Sequence, residues 1–298
     1  MNILLTGSNG FIGSAIAARL HGHAQIWGLG RQQANCCEAI DHYVCADISN
    51  GAFLEELRNI HFDAIVHVAA NISMDANKPE VLLDNCMGTY WITRLTKETG
   101  CKRLLYISSL PVVGTPHKVD GEKKPDISET DLPHPETVYH VSKLTGEYLV
   151  SLLRKEGIQV ASLRIPSPIG VGMSPNTIFS VFLNKALENQ DIVLRGAGTR
   201  RQNYLDVRDI AEAVFLALTA TKLSECYNIV AAKTIANVDL AQRVVHKLNS
   251  SSTILFEGED ASDDVDWKAD GSRAEREIGF SQRYSLEDTI EWMMADKM

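Results

Sequence analysis

No stretch of 18 or more apolar residues occurs in this sequence, so nothing in it is long enough to cross a bilayer as a helix. Basic residues are not in excess: 29 Lys and Arg against 38 Asp and Glu leave a formal net charge of -9, which excludes the broad basic surface that a general nucleic-acid binder needs. The six cysteines (Cys36, Cys37, Cys45, Cys86, Cys101 and Cys226) form no Cys-x-x-Cys pair and have no histidines at metal-ligand spacing. They read as free thiols without a metal centre, and the neighbours Cys36 and Cys37 suit neither an ordinary disulfide nor zinc. Met1 to Thr6 has no charged start, long apolar stretch or small-residue cleavage site, and so does not resemble a secretory leader. A cytoplasmic chain with neither membrane nor nucleic acid as a partner is expected.

What is present is an ordinary globular composition, 45% hydrophobic and 22% charged over 298 residues, enough for a large core and a second lobe. Short apolar runs rich in β-branched residues (Asn2 to Thr6, Gln25 to Leu29, Ala64 to Val68, Arg103 to Ile107, Val160 to Ile165) alternate with helical patterns at Phe11 to Leu20, Pro79 to Thr99 and Val138 to Lys155. Continuous apolar strands of this kind are covered on both faces, which predicts an α/β fold with a doubly wound parallel sheet. After Ile165 the texture turns to Pro, Gly and Ser. The pattern places the main domain over residues 1–165, with 206–232 returning to it, and a smaller C-terminal substrate-binding lobe over 166–298. Val207 to Leu218, Val238 to Leu248 and Leu286 to Met294 read as helices, and Tyr227 to Val230 as a strand.

Gly7-Ser8-Asn9-Gly10-Phe11-Ile12-Gly13 joins the first strand to the first helix. A tight turn needs the first glycine, close approach of backbone to a pyrophosphate the second, and helix-to-strand packing the third. The helix start aims unpaired N–H groups and a positive dipole end at the same place. Gly7, Asn9, Gly10, Phe11, Ile12 and Gly13 are therefore candidate contacts of a dinucleotide in a Rossmann domain. An NAD site ordinarily has a carboxylate about 20 residues beyond the loop for the ribose 2'-OH. Here the first acidic residue is Glu38, and the second strand runs into Arg31. A guanidinium suits the 2'-phosphate, so NADP is expected in preference to NAD.

Tyr139 and Lys143 stand four residues apart, on one face of a predicted helix. An ammonium beside a phenol favours the phenolate, which lets Tyr139 take or give the proton of an alcohol or carbonyl. The strand Arg103 to Ile107 runs on into Ser108-Ser109, which brings a hydroxyl to the carboxyl end of the sheet, where ligands of such folds bind.

With the glycine loop, the serine and the Tyr-x-x-x-Lys pair together, the chain resembles the extended short-chain dehydrogenases, the NAD-dependent epimerase/dehydratase family, over nearly its whole length. The resemblance implies that Ser109 orients substrate, that Tyr139 is the general acid/base, and that Lys143 holds the nicotinamide ribose. Ser109 is chosen over Ser108 because Gly114 of Val112-Val113-Gly114 matches a family glycine five residues beyond the active serine. It also implies that Asp47, with Ile48 after it, faces the adenine, that the backbone around Ala69 lines the cofactor, and that Asn85 bridges backbone near the site. His67 reads as a core histidine. From the family a dimer through a four-helix contact is expected.

Gly196 to Asp209 resembles the segment with which sugar-nucleotide members clamp a diphosphate, and Arg201 falls at its arginine. Where those epimerases have an asparagine after the sixth strand, this chain has Ser167, which cannot reproduce the two-ended bonding of an amide. Leu110-Pro111 replaces the Asp-Glu pair of the 4,6-dehydratases, so no dehydration is expected. Ser109, Ser167 and Arg201 are the candidate substrate contacts. The reading is hydride transfer at a secondary alcohol or keto carbon of a nucleotide-linked sugar. The sequence leaves two others open: an NADPH-dependent reductase of a non-sugar ketone, and a non-catalytic NADP-sensing protein.

Overall fold

The computed structural model describes residues 1–75, 78–117 and 126–297. In chain order the first half contains β1 (Asn2–Thr6), α1 (Phe11–Leu20), β2 (Gln25–Gly30), β3 (His42–Cys45), α2 (Leu54–Leu57), β4 (Ala64–His67), α3 (Glu80–Leu82), α4 (Gly88–Glu98), β5 (Arg103–Ser109), α5 (Val138–Ser151) and β6 (Gln159–Ile165). The second half adds β7 (Ser167–Ile169), α6 (Ile178–Leu187), β8 (Ile192–Arg195), β9 (Arg201–Gln202), β10 (Tyr204–Asp206), α7 (Val207–Thr219), β11 (Cys226–Asn228), β12 (Ile235–Ala236), α8 (Asn237–Lys247), β13 (Ile254–Glu257), α9 (Ser272–Ile278) and α10 (Leu286–Lys297).

A seven-stranded sheet runs β3-β2-β1-β4-β5-β6-β11, parallel throughout. Strand alternation explains the unbroken apolar runs. Ile3 and Leu5 point into a core closed by Ile16 of α1 and Val214 of α7, while Leu4 points into one closed by Ile92 of α4 and Val150 of α5. The expected doubly wound sheet is thus present. Strand order reverses between β1 and β4, which opens a crevice at their carboxyl ends.

Two helices differ from the sequence reading. The stretch Pro79 to Thr99 is not one regular helix: a π turn, Leu83–Met87, separates α3 from α4. Its wider winding turns Asp84 and Asn85 toward the crevice. The pattern over Val138 to Lys155 tightens to a 3-10 turn from Leu152 to Glu156, ending at Gly157 in a left-handed conformation (φ 78°).

Beyond β6, a separate core gathers Phe179 and Leu183 of α6, Leu240 and Val244 of α8, Ile290 of α10 and Ile192 of β8. The sequence pattern did not single out α6 or the parallel β8–β13 pair. Both are short apolar stretches whose partners lie far along the chain, so periodicity alone is ambiguous there. Segment β10, α7 and β11 runs back to the main sheet, where β11 pairs with β6. Among the described residues no helix is long and apolar enough to cross a membrane.

Candidate active site

The crevice deepens into a cavity of about 950 Å³. At one end lies the glycine loop. Gly7 takes a left-handed conformation (φ 69°), and a Cβ there would come within 2.9 Å of the Ala69 backbone. A Cβ on Gly13 would sit 2.0 Å from the Gly7 carbonyl oxygen, so the turn and the start of α1 can pack only around glycine. The α1 start at Gly10 has no side-chain cap and no acidic residue in its first turn, which leaves its amides for an anion. These features fit a dinucleotide pyrophosphate.

Gly7, Asn9, Gly10, Phe11, Ile12, Gly13, Arg31, Asp47, Ile48 and Ala69 all line this cavity. Burial raises the Asp47 carboxyl, but hydrogen bonds from Ser49 outweigh it and the group ends below its ordinary value, helped by Arg31. Behind the loop, Thr6 Oγ1 accepts from the amides of Val68 and Ala69 and therefore donates to His67 Nδ1 at 2.7 Å. His67 Nε2 then donates to Thr89 Oγ1 at 3.1 Å. His67 is a buried, fully partnered neutral imidazole whose pKa burial lowers to about 3, with Lys143 adding to the shift.

Further along the cavity stand Ser109, at the end of β5, with Tyr139 and Lys143 on the first turns of α5. Thr137 caps that helix by accepting from the His140 amide at 3.1 Å, which fixes where Tyr139 starts. Burial pushes the Tyr139 phenol up to about 12 against an opposing hydrogen bond with Ser109. Lys143 is 2% exposed; burial lowers it to about 7, while Glu147 pulls it upward. Ser108 is buried and donates to Glu147 Oε1 at 2.5 Å, so its hydroxyl is committed elsewhere. Asn85 clasps the Asn71 backbone and donates to Ser142 Oγ at 2.8 Å, tying the π turn to the helix of Tyr139.

Past Tyr139 the wall is formed by Leu110, Pro111, Ser167, Arg200, Gln202 and Trp267. Ser167 takes part through a hydrogen bond from Gln202 Nε2 at 2.5 Å. Arg201, the expected diphosphate contact, has its guanidinium engaged elsewhere. It lies outside the cavity wall, and its guanidinium donates to Thr234 Oγ1 at 3.2 Å and to the Thr234 carbonyl at 2.6 Å, with Asp266 at 3.9 Å. In an extended segment neighbours face opposite ways, so Arg200 and Gln202 share the cavity side that Arg201 leaves. Sequence reasoning missed Arg200, Gln202, Asp84, His140 and Trp267. Gln202 Oε1, His140 Nδ1 and Trp267 Nε1 are buried atoms without a protein hydrogen-bond partner, in residues that all form the cavity wall. Among the described residues no cluster of three or more His, Cys, Asp or Glu is placed to hold a metal.

The profile of the family described as NAD dependent epimerase/dehydratase matches residues 3–230. The chain belongs to that family. It is an enzyme of the extended short-chain dehydrogenase type. Among the relatives of this family member, a dTDP-glucose 4,6-dehydratase from Streptomyces niveus is 25% identical over 98% of this chain and 92% of its own length. A dTDP-4-dehydro-6-deoxyglucose reductase from Escherichia coli is 24% identical over 97% of this chain and 95% of its own. In fold it is similar to the UDP-glucose 4-epimerase of Thermotoga maritima, solved with UDP-glucose (TM-score 0.86, 21% identity, 100% of both chains). It is also similar to a dTDP-glucose 4,6-dehydratase of Streptomyces venezuelae solved with NAD (TM-score 0.84, 23% identity, 100% of this chain and 98% of that one).

Proposed function

We propose that this family member transfers a hydride between a nicotinamide cofactor and a secondary alcohol or keto carbon of a nucleotide-linked sugar. The observation that carries the reading is a single cavity running from the glycine loop, past Ser109, Tyr139 and Lys143, to Arg200 and Gln202. The nicotinamide, when bound, supplies the hydride donor or acceptor. The remaining work falls to the protein. Tyr139, with its phenol raised to about 12, is protonated at neutral pH and is a proton donor to a reacting carbonyl oxygen. Ser109, hydrogen-bonded to it, holds that oxygen in line. Lys143 in its ammonium form donates to the cofactor ribose and favours the phenolate in the reverse direction.

For the cofactor we favour NADP over NAD. Arg31 lines the cavity with its side chain 64% exposed, and β2 contributes no carboxylate. For the substrate diphosphate, Arg200 takes the role first read onto Arg201, because it is the guanidinium on the cavity side. Leu110 and Pro111 stand beside Ser109, where an elimination of water needs carboxyl groups, and this supports epimerisation or reduction without dehydration. A second reading, reduction of a non-sugar ketone, draws support from Ser167 and Gln202, which are uncharged where a phosphate favours cations. We further propose a cytoplasmic homodimer. Exposed Leu83, Met87, Tyr90, Val141, Tyr148 and Leu152 on and around α4 and α5 form the apolar surface for it.

Native mass spectrometry with NADPH and then UDP-glucose or dTDP-glucose tests the reading. A ternary complex that Arg200→Ala weakens about tenfold is expected for a lost charged hydrogen bond. A protein that binds NADPH but neither sugar nucleotide, and reduces simple ketones, contradicts it.

A further inference from the structure

The strand end that lacks a carboxylate has one beside it in space. Asp84, presented by the π turn before α4, lines the same cavity as Arg31, and its Oδ2 lies 3.6 Å from Arg31 Nη1. The two side chains differ in freedom: Arg31 is 64% exposed and Asp84 only 23%. Asn71 holds the carboxylate, donating from Nδ2 to the same Oδ2 at 3.0 Å. Asn71 is itself held at its backbone by the Asn85 side chain, which continues to Ser142 on α5. The negative charge of Asp84 therefore stays where it is, whichever way Arg31 swings.

We propose that Asp84 is the counter-charge that sets the cofactor preference of this enzyme. It competes with a ribose 2'-phosphate for the Arg31 guanidinium and repels the phosphate dianion directly. NADP(H) is then favoured less than Arg31 alone would give, and NAD(H), which carries no charge at that position, is also accepted. The inference rests on reading Arg31 as the 2'-phosphate contact. Asp84 acts through Arg31 and through space, as a positioning residue and not a catalytic one.

The test is a fluorescence titration of NADPH and of NADH against the wild type, Asp84→Asn and Arg31→Ala. Asparagine keeps the size and the acceptor for Asn71 while removing the charge. Asp84→Asn is expected to tighten NADPH about five- to tenfold, as a unit charge several ångströms from a dianion in a wet site would. NADH affinity stays as it was, and the NADPH gain shrinks at about 0.5 M salt because ions screen it. A merely structural role moves both cofactors together and shows no salt dependence. If Arg31→Ala weakens NADPH but Asp84→Asn leaves the NADPH-to-NADH ratio unchanged, or weakens both equally, the role of Asp84 is overturned and the Arg31 reading stands. If Arg31→Ala changes neither cofactor, the Arg31 reading falls and the proposal falls with it.

Discussion

Replacing Lys143 with methionine should make the protein more stable in acid and progressively lose that advantage toward alkaline pH. Lys143 is 2% exposed, with its ammonium 4.3 Å from the centre of the Tyr106 ring, and burial brings its pKa from 10.5 down to about 7. In the unfolded chain the same group titrates near 10.4. Below about pH 7 both states carry the proton, and the folded state bears the full cost of a buried charge. Between the two values the unfolded chain binds more protons than the folded one, so stability rises with pH. At about 1.36 kcal/mol per pH unit, the wild type gains about 3 kcal/mol between about pH 6 and pH 9.5. Methionine does not titrate. Urea unfolding of the cofactor-free protein should therefore show the gap between Lys143→Met and wild type closing by about that amount over the range. A gap that stays constant across pH would refute the claim that burial strains this charge.

Tyr139→Phe should lower turnover by about 10²–10⁴-fold, the usual worth of a positioned acid/base, while the affinity for NADPH measured by fluorescence stays unchanged. Gly13→Ala drives a Cβ to 2.0 Å from the Gly7 carbonyl oxygen, so cofactor binding in the same titration should be lost and the melting temperature lowered. Glu147 pairs with Arg164 at 2.8 Å, their side chains 10% and 5% exposed. Glu147→Gln leaves a buried guanidinium without its counter-charge, and urea unfolding should show a loss of about 3–5 kcal/mol. Tyr148→Glu on the exposed side of α5 should shift sedimentation from dimer to monomer without altering cofactor affinity.

The parts legible in the sequence are those in which local pattern and tertiary packing agree. The bounds of β1 and α1, Asn2–Thr6 and Phe11–Leu20, follow directly from an apolar run, a glycine loop and a helical repeat. Tyr139 and Lys143 could be paired because four residues is one helical turn. Arg200 and Arg201 show where such reasoning cannot choose. In a two-residue strand a shift of one position exchanges the faces, and neighbouring arginines give no signal to choose between them. Asp84 was hidden for another reason. Its stretch read as regular helix, and only the π turn and the approach of Arg31 from a different strand bring the two charges together. Trp267 reaches the cavity from an irregular segment held by a bridge between Arg201 and Asp266, a contact that no periodicity announces.

The central claim is that hydride passes between the cofactor and a carbon of a nucleotide-linked sugar, with Tyr139 handling the proton. Supplying a nucleotide-linked keto sugar together with NADPH deuterated at nicotinamide C4, and weighing the product by mass spectrometry, tests it directly. One deuterium is expected on the reduced sugar carbon in the wild type, and about 10²–10⁴-fold less labelled product in the same time with Tyr139→Phe. Reduced sugar without the label, or labelled only from deuterated water, would contradict it.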